Sequence, residues 1–208
     1  MIETVKKILL LLLSGLATAF CSYSQDIKQW TEDDRKYLLE NLVRSKEDLL
    51  KETKGLTKEQ WSFKESPDRW SINQVVEHIS IWEMLLDHDI SRALGDGLKP
   101  DLYKTAKPDS IFLKFIMEEK PHISTEYTKP FTYTVPMGIN EGANNLAWFL
   151  KLRNESIEYI KTAKEDLRSY NLKTGSPTIH QRYITLFGHC DRHLRQIRKI
   201  KQHPSYPK

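Results

Sequence analysis

An all-α, antiparallel four-helix bundle with a long crossover between helices two and three is the fold the sequence predicts, on three observations. Apolar residues recur at helical spacing in four stretches. Capping or breaking residues bound each stretch, and a segment dense in proline and glycine divides the second from the third. The 208 residues are 39% hydrophobic and 29% charged, enough apolar content for one globular domain to fold without covalent staples.

The first helix is expected over 31–53. Thr31 is its N-cap, Glu32, Asp33 and Asp34 put carboxylates in the first turn, and Tyr37, Leu38, Leu42, Leu49 and Leu50 form the apolar stripe up to Gly55. A short turn follows around Thr57–Trp61. Helix two starts at Ser71, paired with Gln74 in a capping box, and runs through Val75, Ile79, Trp82, Leu85 and Leu86 to about Leu94. Residues 95–139 hold Gly95, Gly97, Pro100, Pro108, Pro121, Pro130, Pro136 and Gly138, a density that forbids a long regular element. One short helix fits Ile111–Met117, and Tyr127–Val135 could be extended, although Pro130 opposes it. Helix three is expected from Asn140 to about Ser169, with Leu146, Phe149, Leu150, Ile157, Ile160 and Leu167 inward. Helix four opens at Gly175-Ser176-Pro177, continues through Tyr183, Leu186, Phe187, Leu194, Ile197 and Ile200, and stops by Pro204.

The N-terminus reads as a separate piece. Lys6 and Lys7 precede the apolar run Ile8–Phe20, 13 residues where a spanning helix needs about 20. The expectation is a secretory signal peptide over 1–24, cut after Ser24 with Ser22 at −3, or earlier at Ala17 and Ala19, ahead of a domain over 26–208. Phe20 stands where a lipoprotein site wants a small residue before Cys21, which speaks against a lipid anchor. The protein is then periplasmic or extracellular, with no stable membrane insertion after cleavage. Losing Lys6, Lys7 and Glu3 from 32 basic and 28 acidic residues leaves a net charge of +3. Without a Lys/Arg block, that gives no footprint for nucleic acid. Cys190 would be the single remaining cysteine, so no internal disulfide is expected.

His189 and His193 are four apart on helix four, so their rings project from one face at a spacing that can grip one metal ion. Such a pair also arises by chance. His78 is the third candidate, two turns into helix two beside Val75, Ile79 and Trp82, where metal ligation or a hydrogen bond would offset its desolvation. His88 and His180 are rotated away from these positions, and His122 and His203 read as surface residues. Gln74 and Trp82, four residues either side of His78, and Gln196, three beyond His193, are candidates for the shell around the ligands. Glu77 and Cys190 adjoin ligands in sequence but turn about 100° away, so Glu77 is not nominated as a base and Cys190 is expected to be a packed thiol. Trp30, Trp61, Trp70, Trp82 and Trp148 read first as core and helix-end packing.

The segment Pro67–Ile79 resembles the W-S-x-x-x-(V/L)-x-x-H-(I/L) signature of the DinB/YfiT-like superfamily, and His189–Ile197 is similar to its H-x-x-x-H-x-x-Q-(I/L) element. The resemblance implies an antiparallel four-helix bundle in which His78, His189 and His193 bind one divalent transition ion, zinc or nickel, with positions left for water or a small-molecule substrate. Three neutral ligands leave the ion's charge undiminished, so bound water would be acidified towards about 7, and a bound thiol would become a thiolate. Members of this family include thiol-dependent transferases and isomerases and metal-dependent hydrolases. Low-molecular-weight thiols are mainly cytoplasmic, so the leader favours hydrolysis over S-transfer. A non-catalytic metal- or ligand-binding stress protein is the alternative from another class. Apolar surface on helices one and three is compatible with a homodimer.

Overall fold

The computed structural model describes residues 29–118, 133–173 and 175–208. The expected leader and its cut, His122, and most of Tyr127–Val135 lie outside them. The elements are α1 (Glu32–Thr53), α2 (Lys58–Ser62), α3 (Ile72–Gly95), a 3-10 turn (Leu102–Lys104), α4 (Asp109–Met117), α5 (Gly142–Thr162) and α6 (Ile179–Lys201), with no strand among the described residues. Helices α1, α3, α5 and α6 form the bundle. Helix α3 packs on α5 and α6, α1 packs on the same two, and α4, from the crossover, lies against α6.

Capping boxes set the starts. The Thr31 hydroxyl accepts the Asp34 amide at 3.1 Å while the Asp34 carboxylate accepts the Thr31 amide at 3.0 Å, and Ser71/Gln74 and Thr178/Gln181 repeat the exchange. The expected turn at Thr57–Trp61 is also capped this way and is helical, as α2. Two apolar clusters fill the bundle. One gathers Leu38, Leu42, Leu86, Ile160, Leu186 and Phe187, and the other Leu49, Val75, Ile79, Phe149, Leu194 and Ile197.

Two boundaries differ from expectation. Helix α5 stops at Thr162, not near Ser169, because Ala163 is extended and the chain turns back. Arg35 donates to the carbonyls of Ile160 and Ala163, closing the helix end. Asp166 accepts the amides of Gln29 and Trp30. Leu167 is buried as expected, but from a turn; its spacing from Ile160 only imitates a helix. Helix α6 begins at Ile179, since Thr178 supplies its cap.

At that end of the bundle, Arg168 bridges Asp34 at 2.7 Å and Asp109 at 2.9 Å. Below it, buried His180 accepts the Trp30 indole N–H at Nδ1 (3.2 Å), with Nε2 3.3 Å from the Asp109 carboxylate. Burial raises both carboxyls. For Asp109, hydrogen bonds from His180 and Arg168 outweigh it, and for Asp34 those from Arg168 and the Thr31 amide do, so both sit below the ordinary carboxylate value. Groups depressed this way contribute stability above their unfolded value of about 4 and lose it as pH falls through the folded value. Arg168→Ala is therefore expected to cost about 1–2 kcal/mol at pH 7 and progressively less below about pH 4, read from urea midpoints across pH.

A second prediction concerns the seat of α4. Gly188 lies mid-helix in α6, where alanine ordinarily gains about 1 kcal/mol. A Cβ there would meet Cδ1 and Cγ2 of buried Ile116 at 2.9 Å. Overpacking costs about 1–3 kcal/mol, so the sign reverses. Gly188→Ala is expected to lower the thermal midpoint and to loosen α4 beside His189, seen as faster amide exchange in 109–117.

Candidate metal centre

Helix α3 carries His78 and helix α6 carries His189 and His193, and the packing of α3 on α6 brings the three rings together. His78 Nε2 is 3.2 Å from His189 Nε2, which is 3.1 Å from His193 Nε2. Among the described residues, these three form the group able to hold a metal ion, and no carboxylate joins it.

Two of the opposite nitrogens are committed. His78 Nδ1 lies 2.5 Å from the Thr134 carbonyl, which only accepts, so Nδ1 carries the hydrogen and Nε2 presents its lone pair inward. His193 Nδ1 is 2.9 Å from Gln196 Oε1, which does the same for the second ring. His189 can donate one hydrogen to one neighbour, leaving the other lone pair opposed, whereas a single cation would satisfy all three. The edge of a tetrahedron on metal–nitrogen bonds of about 2.0–2.1 Å is about 3.3–3.4 Å. The observed separations are close to that, so the donor set fits a divalent ion.

His78 and His193 are buried and His189 is half-buried. Burial pushes His78 down to about 4 against the Thr134 hydrogen bond, and Arg192 adds to the fall. The imidazole is therefore neutral and able to ligate at neutral pH. Two indoles wall the group. Trp70 sits 4.8 Å from the His78 ring and stacks on His193 at 6.5 Å, while Trp82 is 5.2 Å from His189.

Of the shell candidates, Gln196 and Trp82 lie against ligands. Gln74 does not supply the His78 partner. Its amide oxygen accepts the Ser71 N–H and its stem lies beside Gly138. The role expected of it falls to Thr134, which sequence reasoning missed, since any residue has a carbonyl. Trp70 does more than the packing expected of it, and its place in the W-S motif is the signal that could have shown this. His88 is exposed, and His203 is half-buried against Phe63 rather than a plain surface residue. Cys190 is buried and free, its thiol pushed up to about 12 chiefly by desolvation.

The sequence profile of the DinB superfamily matches residues 41–197. The chain belongs to the DinB superfamily. Among solved structures, this DinB-superfamily chain is similar to YfiT from Bacillus subtilis, described as a probable metal-dependent hydrolase with an unusual four-helix bundle topology. The match has a TM-score of 0.50 and 14% identity, and covers 85% of this chain and 91% of that one. At that identity the likeness shows the shared fold. No curated protein matches the chain. The profile spans both helices that carry the histidines, α3 and α6 up to Ile197.

Proposed function

We propose that the protein is an exported hydrolase that uses one divalent ion, zinc or nickel, held by His78, His189 and His193, to act on a small molecule. The convergence of three imidazole Nε2 atoms, two of them with their far nitrogens already committed, carries this reading. The likeness to a protein described as a probable metal-dependent hydrolase supports it. When bound, such an ion supplies Lewis acidity at neutral pH. The residues do the rest. Thr134 and Gln196 fix the tautomers, and Trp70 and Trp82 exclude water from the sides.

Residues 1–24 form the leader in this reading, and the partners are small molecules rather than nucleic acid. Among the described residues, no helix is long and apolar enough to cross a membrane. The test uses protein expressed from the full chain, metal-stripped or reloaded with zinc or nickel, on a panel of esters, amides and thiol conjugates. Turnover that returns with the ion and is absent in His193→Ala supports hydrolysis. A stoichiometric ion without turnover on any of the panel would instead favour the non-catalytic metal binder, and turnover that needs an added thiol would favour S-transfer. Fractionation with N-terminal sequencing of the mature chain tests export.

A further inference from the structure

We infer that Glu77 is a positioning residue for the metal centre: its carboxylate clamps the strap 133–140 so that the Thr134 carbonyl stays on His78 Nδ1. The inference rests on the reading above of His78 as a ligand. Glu77 turns away from the ligand cluster yet is only 7% exposed, and a buried carboxylate needs donors. They are two consecutive amides of the strap, Met137 N–H to Oε1 at 3.2 Å and Gly138 N–H to Oε2 at 2.7 Å. Gly138 makes this possible. Its φ of +70° turns the chain, and a Cβ there would lie 3.4 Å from the Gln74 side chain.

Three residues of α3, spread over about 140° of its circumference, thus hold the strap in antiparallel order. Asn73 donates to the Asn140 carbonyl at 2.7 Å, Glu77 takes the amides of 137 and 138, and His78 donates to Thr134. Within the strap Thr134 and Pro136 turn inward, while Tyr133, Val135, Met137 and Ile139 are exposed. The strap therefore has little apolar footing, and its polar bonds decide where it lies. Glu77 supplies two of them. Without that clamp the Thr134 carbonyl leaves His78, the ring can move its hydrogen to Nε2, and the inward lone pair is lost.

The test uses full-length protein labelled with ¹⁵N-histidine, carrying Glu77→Ala or the isosteric Glu77→Gln, which keeps one accepting oxygen. In metal-free wild type, the ring nitrogens of His78, assigned by comparison with His78→Ala, should report hydrogen on Nδ1, and the Met137 and Gly138 amides should exchange slowly. In Glu77→Ala the tautomers should mix, both amides should lose protection, and zinc affinity measured against a chromophoric chelator should fall about 10–100-fold, with Glu77→Gln between. If Glu77→Ala does not fold, Glu77→Gln carries the test with the same three readouts. Wild-type tautomer and zinc affinity within twofold of wild type in the folded variant would overturn the inference. Failure of the wild type to bind zinc would sink the metal reading alone, because tautomer and exchange still decide what Glu77 does.

Discussion

Full-length protein should hold one divalent ion per chain, and His78→Ala, His189→Ala or His193→Ala should each weaken that binding by at least about 100-fold. The size follows from the ligand count. Structural zinc sites with four protein ligands bind with about 10–16 kcal/mol, or roughly 3 kcal/mol per ligand. Gln196→Ala should cost less, about tenfold, because it removes an orienting acceptor and leaves the nitrogen. His88→Ala, at an exposed position on the same helix as His78, should change nothing. Thermal melts add an independent check. An ion that binds the folded state alone raises the midpoint with its concentration, so added zinc should stabilise the wild type and leave the three ligand variants unmoved. With chelator present the order should narrow, because the uncharged cluster retains at least one pair of opposed lone pairs 3.1–3.2 Å apart, a contact that each alanine variant relieves. A wild type that purifies and melts without regard to zinc or nickel would contradict the expectation.

The bundle and the ligand helices were legible because their signals are local and redundant. Thr31 and Ser71 each stand three residues before an acidic or amide partner, and each starts a helix in the structure, whereas α6 starts from Thr178, just past the expected opening at Gly175-Ser176-Pro177. The stripe Val75, Ile79, Leu86 predicts the buried face of α3, and His78 falls on its edge. What was not legible is long-range and carried by backbone. The Thr134 carbonyl lies 56 residues from His78, and no side-chain identity announces it. The end of α5 is hidden because Leu167 keeps helical phase with Ile160 although the chain between them turns. An ion pair buried in the bundle, between Arg153 on α5 and Glu83 on α3, does by contrast leave a mark in the amino-acid pattern. Arg153 stands four residues from both Phe149 and Ile157, squarely in the buried stripe of α5, and Glu83 stands four after Ile79 in that of α3. Charged residues are almost never fully buried unless paired, so two of opposite sign in phase with core stripes point to each other.

That pair sets the largest expected change in stability. Arg153 and Glu83 are at most 2% exposed, and the guanidinium reaches all four bundle helices. It pairs with both Glu83 oxygens on α3, donates to Ser45 Oγ at 2.6 Å and the Leu42 carbonyl at 3.2 Å on α1, and donates to the Leu186 carbonyl at 3.3 Å on α6. Arg153→Met keeps most of the volume but leaves the buried Glu83 carboxylate without its donor, so about 3–5 kcal/mol should be lost. Burial already holds the Glu83 carboxyl above its ordinary value, with the charge of Arg153 opposing. Removing Arg153 raises it further. A carboxyl raised in the folded state favours folding below its unfolded value and loses that contribution as pH climbs towards the folded one. The variant should therefore lie closer to wild type at pH 5 than at pH 7 in urea unfolding. Adding Glu83→Leu removes the stranded charge, and the double variant should recover most of the loss, giving a coupling of at least about 2–3 kcal/mol in a double-mutant cycle. Losses that simply add, or an Arg153→Met penalty below about 1 kcal/mol at pH 7, would show that the bundle is not held at this point.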